Sequence, residues 1–371
     1  MLKIVETYRA ELTTVTPIHI GTGEDYVPVD YVIKKNGADG QNYFYSIRRG
    51  KFIDYIISKD KYGEFLKVCD NTNFMQINKY IFDNFNEEMI DWKMPVSKNV
   101  FEIYKKNMSM EIKKNDTNRL EIRSFIQDNF KNNIYIPGSS IKGSIRTAVL
   151  NYKIKNGKKA SGLNNNPKAI EIEKSILNIR EKNNSDDPFR LVKISDFIPE
   201  SNEKRYSFVD RVINVKSGKD LSEGKGVPVF MELSLREKKF IGEITIIKDG
   251  SKNDDFAEPP IDINFIIKAM NYHYGDSSYE FESSTFPNVF NDEIIKMFKT
   301  VKDETKINNN AFLMKIGNHS GAFEVTMEWY RKIRIKNRSS YDEPDRQTTI
   351  WLNENNKMPL GWAKFSMTQI K

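Results

Sequence analysis

Apolar and polar positions alternate at the start of the chain. Tyr8, Ala10 and Leu12 oppose Arg9, Glu11 and Thr13, which predicts a strand over residues 3–14 with one buried face. A loop over residues 16–25 follows. Residues 26–35 and 43–48 read as a hairpin around Asn36-Gly37-Ala38-Asp39-Gly40. Phe52, Ile53, Ile56 and Ile57 then recur at helical spacing. Residues 60–130 are mostly helical and polar in pattern, and read as an insertion.

A short β-prone run, Ile134-Tyr135-Ile136, is broken by Pro137-Gly138. Beyond it Ile141, Ile145, Ala148, Val149 and Tyr152 form one apolar helix face, with Lys142, Arg146 and Lys153 on the neighbouring face. Ser139 or Ser140 suits the helix N-cap. Residues 153–188 are rich in Lys, Asn, Gly and Ser, and about 155–188 is expected to be a mobile loop. Strands are predicted at 191–194 and 208–215. Met231, Leu233 and Leu235 alternate with Glu232, Ser234 and Arg236, so residues 229–235 and 240–247 read as a second hairpin. A linker at 253–260 precedes helices at 263–274 and 291–301. Strands follow at 311–316, 348–352 and 361–367, with 323–335 ambiguous. Strands and helices without regular βα alternation give an α+β class.

Composition narrows the partners. The chain has 371 residues, 58 Lys and Arg against 51 Asp and Glu, a net charge of +7 and a pI near 9.0. That balance favours a polyanionic partner. A single cysteine, Cys69, excludes an internal disulfide and a zinc ribbon. Only His19, His273 and His319 are available as imidazole ligands, so no metal or other cofactor is expected. The first residues lack the apolar core of a secretion signal, and no run approaches the ~18 apolar residues of a membrane span. A soluble, cytoplasmic protein is expected.

Three readings compete for Gly138–Ser144. One is a capped amphipathic helix with a solvated basic face. A second is a nucleotide-binding P-loop, but that motif places its lysine after the second glycine, and here Lys142 precedes Gly143. The third is an RNA backbone clamp, with Gly138, Ser139, Ser140, Lys142, Gly143 and Arg146 in contact and helix N–H groups facing phosphate. A glycine inside a helix costs about 1 kcal/mol against alanine, which makes sense where another backbone comes close.

Other candidates lie downstream. Gly317-Asn318-His319-Ser320-Gly321 is either a simple turn or a nest of amides for phosphate. Arg331, Lys332, Arg334, Lys336 and Arg338 fall within eight residues. If extended, Arg334, Lys336 and Arg338 share a face as a phosphate-tracking stripe, or form a solvated edge strand. Tyr43 and Tyr45 share a strand face, where packing competes with base stacking. His19, between Ile18 and Ile20, is either a structural or RNA-contacting residue or a general base. Asp25 and Asp30 carry no assigned role.

The segment P-G-S-S-I-K-G-S-I-R-T, Pro137 to Thr147, resembles the helix motif of the RAMP superfamily of CRISPR RNA-binding proteins. Residues 12–23, L-T-T-V-T-P-I-H-I-G-T-G, look like that superfamily's opening strand and loop. Pro359-Leu360-Gly361-Trp362 is similar to the closing segment of one branch, the end-capping subunits of type III-A Csm effector complexes. The resemblance implies ferredoxin-like (RRM-like) modules: one over 1–252, carrying the insertion at about 60–130, and a C-terminal α+β domain over 253–371. It implies RNA contact by the Gly317, His319, Ser320 and Gly321 loop. It also implies a non-catalytic subunit that binds and caps the 3′ portion of a guide crRNA and supports its maturation. The expected partners are the crRNA, the adjacent backbone RAMP subunit, target RNA through the complex, and host nucleases, with no membrane. Two alternatives stand beside this: a metal-independent crRNA-processing endoribonuclease using His19, and a purely structural protein-binding cap.

Overall fold

A computed structural model describes the chain except for residues 1–3, 71–72, 110–119, 129–131, 164–166, 181–185, 202–203, 222–224, 249–260, 332, 335–340, 343–346 and 371. The linker expected at 253–260 lies outside the described residues. Helices and strands are mixed, as the α+β class requires.

The largest sheet is built on the opening strand, Ile4–Thr14. It pairs antiparallel with Lys239–Lys248 on one side and with the closing strand, Trp362–Gln369, on the other. Ala311–Lys315 extends the sheet beyond the closing strand. The alternation behaves as the sequence predicts: Tyr8, Ala10 and Leu12 are buried and Arg9 is exposed. Ala10 sits opposite Gly242, where a Cβ would lie 2.4 Å from the Phe197 ring. Small residues there admit the aromatic. The helix Gly138–Lys155, the central helix below, buries Ile141, Ile145, Ala148 and Val149 completely in the same core. Each large apolar side chain so buried contributes up to about 1.5–3 kcal/mol. This core draws on residues from Tyr8 to Met367, so one sheet and one core cross the domain boundary expected at 252.

A second sheet runs Thr349–Asn353, Ser207–Lys216, Lys225–Ser234, Ile122–Phe125, Gly21–Tyr26. It holds two departures from the sequence reading. Residues 229–235 and 240–247 do not form a hairpin, because their strands enter different sheets. The connection is captured by the opening strand: Ser234 N–H donates to Ile18 O, Glu237 N–H to Thr14 O, and Thr14 Oγ1 to Leu235 O. Long-range partners override a turn that locally resembles a hairpin. Residues 21–25, expected as loop, form with Tyr26 a strand that is exposed along nearly all its length, which is why no alternation marks it.

The third unit is a three-stranded sheet, Tyr31–Lys35, Asn42–Ile47 and Ile90–Pro95, the first two forming the expected hairpin. Helices Arg49–Ser58, Tyr62–Asp70, Phe74–Asp83 and Lys98–Ser109 accompany it. The inserted region is therefore not purely helical, since it supplies a strand here and another to the second sheet. Asn78, fully buried, pins this unit. Its amide donates to Tyr31 O at 2.8 Å and to Pro28 O, and its oxygen accepts from Tyr104 Oη at 2.8 Å. Tyr45 is buried and Lys93 covers the Tyr43 ring, so this pair packs within the fold. Part of the stretch expected to be a mobile loop is the helix Ala169–Ile176, whose Ile172 and Ile176 are buried. Among the described residues no helix is long and apolar enough to cross a membrane.

Candidate nucleic-acid interface

Three segments remote in sequence meet at one cleft of about 750 Å³: the loop after the opening strand, one face of the central helix, and the Gly317–Gly321 loop. The helix begins at Gly138 after Pro137 and has no side-chain cap of its own. Asp196 supplies one from a distance, accepting from Gly138 N–H at 2.9 Å. Neither Ser139 nor Ser140 caps the helix. A Cβ on Gly138 would lie 2.4 Å from Ile194 O, so this glycine is a packing residue. Gly143 differs. Nothing lies within 4 Å of the Cβ it lacks, and it opens on the cleft. Ser140, Gly143, Ser144 and Thr147, at spacings of three and four, form the cleft face of the helix.

His19 is 1% exposed. Its Nδ1 is 2.8 Å from Glu232 O, and since a carbonyl only accepts, Nδ1 carries the proton and Nε2 holds a lone pair. Burial pushes its pKa below the ordinary value, so the ring is neutral near pH 7. The strand beneath is fixed by a buried pair: Glu232 accepts from Arg205 Nη2 at 2.6 Å, Ser207 Oγ at 2.6 Å, Tyr26 Oη at 2.9 Å and Phe125 N–H at 3.1 Å. Arg205 also lies 3.8 Å over the Trp92 ring. With both partners satisfied, the pair holds the His19 loop rigidly.

The Gly317–Gly321 loop docks against His19. Asn318 N–H donates to His19 O at 2.7 Å, and a Cβ on Gly317 would lie 2.5 Å from the same oxygen. Gly317, His319 and Gly321 all have positive φ, but the loop is no open nest: the Asn318 and His319 amides are taken by His19 O and Asn318 Oδ1. His319 stacks on Trp351 with centroids 4.2 Å apart, and its Nε2 lies 3.4 Å from Arg123 Nη1. Burial, then the charge of Arg123, pushes its pKa down to about 4. Arg123 itself lines the cleft, opposite Asp25 in the strand register. No periodicity marks it in the sequence, and only the pairing of Ile122–Phe125 with Gly21–Tyr26 places it here.

The closing motif acts as a clasp. Trp362 is wholly buried, its N–H donates to Thr16 Oγ1 at 3.0 Å, and Gly361 N–H donates to Pro17 O at 2.9 Å.

Lys142 and Arg146 lie off the cleft. Lys142 Nζ donates to Val192 O at 2.9 Å. Arg146 donates to Glu173, and to Asp187 at 3.0 and 2.9 Å, with its guanidinium 4.9 Å over Phe189. These cations thus tie the central helix to its neighbours. Arg334 lies in the short strand Ile333–Arg334, while Lys336 and Arg338 are outside the described residues. Of the apolar residues in the insertion, Met75 and Ile81 are buried and Phe74 is exposed. Asp30 pairs with Arg49.

Comparison with known proteins bears on the family. The profile of the RAMP superfamily matches residues 11–356. The chain is 27% identical over 246 residues to the CRISPR system Cms protein Csm5 of Streptococcus thermophilus, an alignment covering 66% of this chain and 65% of that relative's length. It is 24% identical over 408 residues to the protein of the same name from Methanocaldococcus jannaschii, covering 98% of this chain and 90% of that one. Among solved structures, a chain of a Csm–crRNA–target RNA ternary complex of a type III-A CRISPR-Cas system superposes with a TM-score of 0.64 at 17% identity, covering 97% of this chain and all of that one. Csm5 of T. onnurineus superposes with a TM-score of 0.60 at 17% identity, covering 95% and 99%. The match over residues 11–356 covers most of the chain, and the chain is a member of the RAMP superfamily.

Proposed function

We propose that this chain is a non-catalytic RNA-binding subunit of a type III-A Csm complex, which binds and caps the 3′ portion of the guide crRNA and supports its maturation. The observation that carries the reading is the convergence of the His19 loop, the open face at Gly143 and the Gly317–Gly321 loop on one cleft beside Arg123. The names of the curated relatives, and a fold shared with a chain of an RNA-bound Csm assembly, support it. The large sheet with the central helix is read as the ferredoxin-like module. Arg123 takes phosphate, so recognition of the guide's spacer is largely independent of its sequence. The adjacent partner is a backbone RAMP subunit, target RNA is met through the complex, and host nucleases trim the exposed guide end.

Gly143→Glu tests the reading. The open space accepts the side chain, glutamate favours the helix, and the new charge faces RNA. Guide RNA affinity is expected to fall at least about tenfold, or 1.4 kcal/mol, with the fold intact by circular dichroism. Unchanged affinity would overturn the assignment.

One observation favours the second reading, a metal-independent processing endoribonuclease: His19 is neutral with a lone pair on Nε2. Purified protein that cleaves repeat RNA, and loses that activity in His19→Ala, would establish the enzyme instead.

A further inference from the structure

We propose that the cleft takes a nucleobase turned inward from the bound RNA strand, its hydrogen-bonding edge docked on the carboxyl of Glu324. The inference rests on the RNA-binding reading above and concerns the same cleft. Glu324 lines it and is only 1% exposed. Among the described residues, neither carboxyl oxygen has a hydrogen-bond partner beyond the residue's own backbone amide. The neighbouring amide of Gln347 donates instead to Thr349 O at 2.8 Å. Buried polar groups in folded proteins are almost always paired, so a carboxyl left this way at the edge of a cavity marks where a ligand's polar edge belongs.

Charge decides which part of a nucleotide fits. Lys315, buried beside Glu324, already pairs with Glu282, and its Nζ is 3.8 Å from Glu324 Oε1. Glu282 Oε2 also accepts from Trp362 Nε1 at 3.0 Å. Lys315 and Glu282 balance each other and Arg331 acts more weakly than burial, so a second carboxylate would sit in a buried site without a full counter-charge. A phosphate brought beside two carboxyl groups would be worse. Glu324 is therefore a neutral acid, with an O–H donor and a C=O acceptor side by side. The edges of nucleobases present that complement: a ring nitrogen beside an amine, or a carbonyl beside a ring N–H. Tyr274, Ile316 and Val325, also lining the cleft, supply apolar surface for the base face. Phosphates stay with the half-exposed Arg123.

The test is equilibrium binding of the full chain to guide-derived single-stranded RNA. The oligonucleotides form a panel in which each carries one abasic position. The parent protein is expected to show one position where loss of the base weakens binding roughly tenfold. Glu324→Leu should weaken binding of intact RNA by a similar factor and lose its sensitivity at that position alone. Glu324→Gln, which keeps a donor beside an acceptor, should stay within about threefold of the parent. If Glu324→Leu unfolds, Glu324→Ala, smaller and open to the cleft, replaces it. A purely structural Glu324 predicts additive losses and no single sensitive position. A flat abasic scan in the parent, or a sensitive position that stays equally sensitive in both apolar variants, would overturn the base pocket while leaving RNA binding intact. Failure of the parent to bind any RNA would strike the RNA reading itself.

Discussion

Two glycines five residues apart on the central helix should respond to alanine in opposite ways. At Gly138 the new methyl would lie 2.4 Å from Ile194 O, 2.5 Å from Ser195 O and 2.8 Å from Ser195 C, all backbone atoms that cannot swing aside. Relief requires the helix start to move from the 194–196 segment, and the 2.9 Å bond from Gly138 N–H to Asp196 loosens with it. Overpacking of this kind costs about 1–3 kcal/mol, and a weakened charge-assisted bond adds about 1 kcal/mol. Against that, alanine regains at most about 1 kcal/mol of helix propensity. The net is a destabilisation of about 2 kcal/mol. At a urea slope of about 2–3 kcal/mol/M, the midpoint falls by roughly 0.7–1 M. At Gly143 nothing meets the methyl, so Gly143→Ala should stabilise by about 0.5–1 kcal/mol. It should nonetheless weaken guide RNA binding, because the methyl enters the cleft. Urea unfolding followed by fluorescence reads the effect, since Trp362 is buried in the core that the helix covers. A Gly138→Ala protein as stable as the parent, or a Gly143→Ala protein less stable than it, would show that the two glycines are misassigned.

The buried Arg205–Glu232 pair predicts that Arg205→Met, which leaves Glu232 uncompensated, destabilises by about 3–5 kcal/mol by urea titration. Arg146→Ala should lower stability, through release of the Ala169–Ile176 helix, more than it lowers RNA affinity; comparison with Arg123→Ala in the same assay checks the order. His273 and His319 are held at about 4, and His19 is also lowered, all chiefly by burial. The unfolded chain binds more protons below about 6.5, so stability should fall on acidification through the window from 6.5 to 4, read as a declining Tm. Glu324 has the opposite sign: burial raises it to about 8, so the folded state holds the extra proton and stability should fall as pH rises from about 4.5 to 8. The Tm advantage of Glu324→Gln over the parent should therefore widen between pH 6 and 9.

Local patterns found most strands and the helix that carries the motif, because alternation in Ile4–Thr14 and the spacing of Ile141, Ile145, Ala148 and Val149 report burial directly. They failed where pairing is decided at long range. The 229–247 hairpin reads correctly in its strands and wrongly in its partners, since the opening strand outcompetes the neighbour. Motif resemblance pointed to the two loops and the helix of the cleft but not to the direction of each side chain. Lys142 and Arg146 look like free cations in sequence, and only the fold shows Val192 O, Glu173 and Asp187 taking them. Arg123 and Glu324 carry no local signature at all. Their position in the cleft exists only once strands a hundred residues apart are aligned.

The pairing of Ile4–Thr14 with Trp362–Gln369 orders events during synthesis. The first strand leaves the ribosome with one neighbour not yet made. Until the closing strand arrives, its edge toward that neighbour stays open, a template for wrong pairing. Thr16 Oγ1 likewise lacks its Trp362 donor, and the His19 loop lacks its docking partner at Asn318. A nascent chain can fold its inserted three-stranded unit early, yet its cleft is incomplete until the strand Trp362–Gln369 has been made. On the proposed reading, RNA binding waits on that strand, and deleting Trp362–Gln369 should abolish it as thoroughly as damage to the cleft itself.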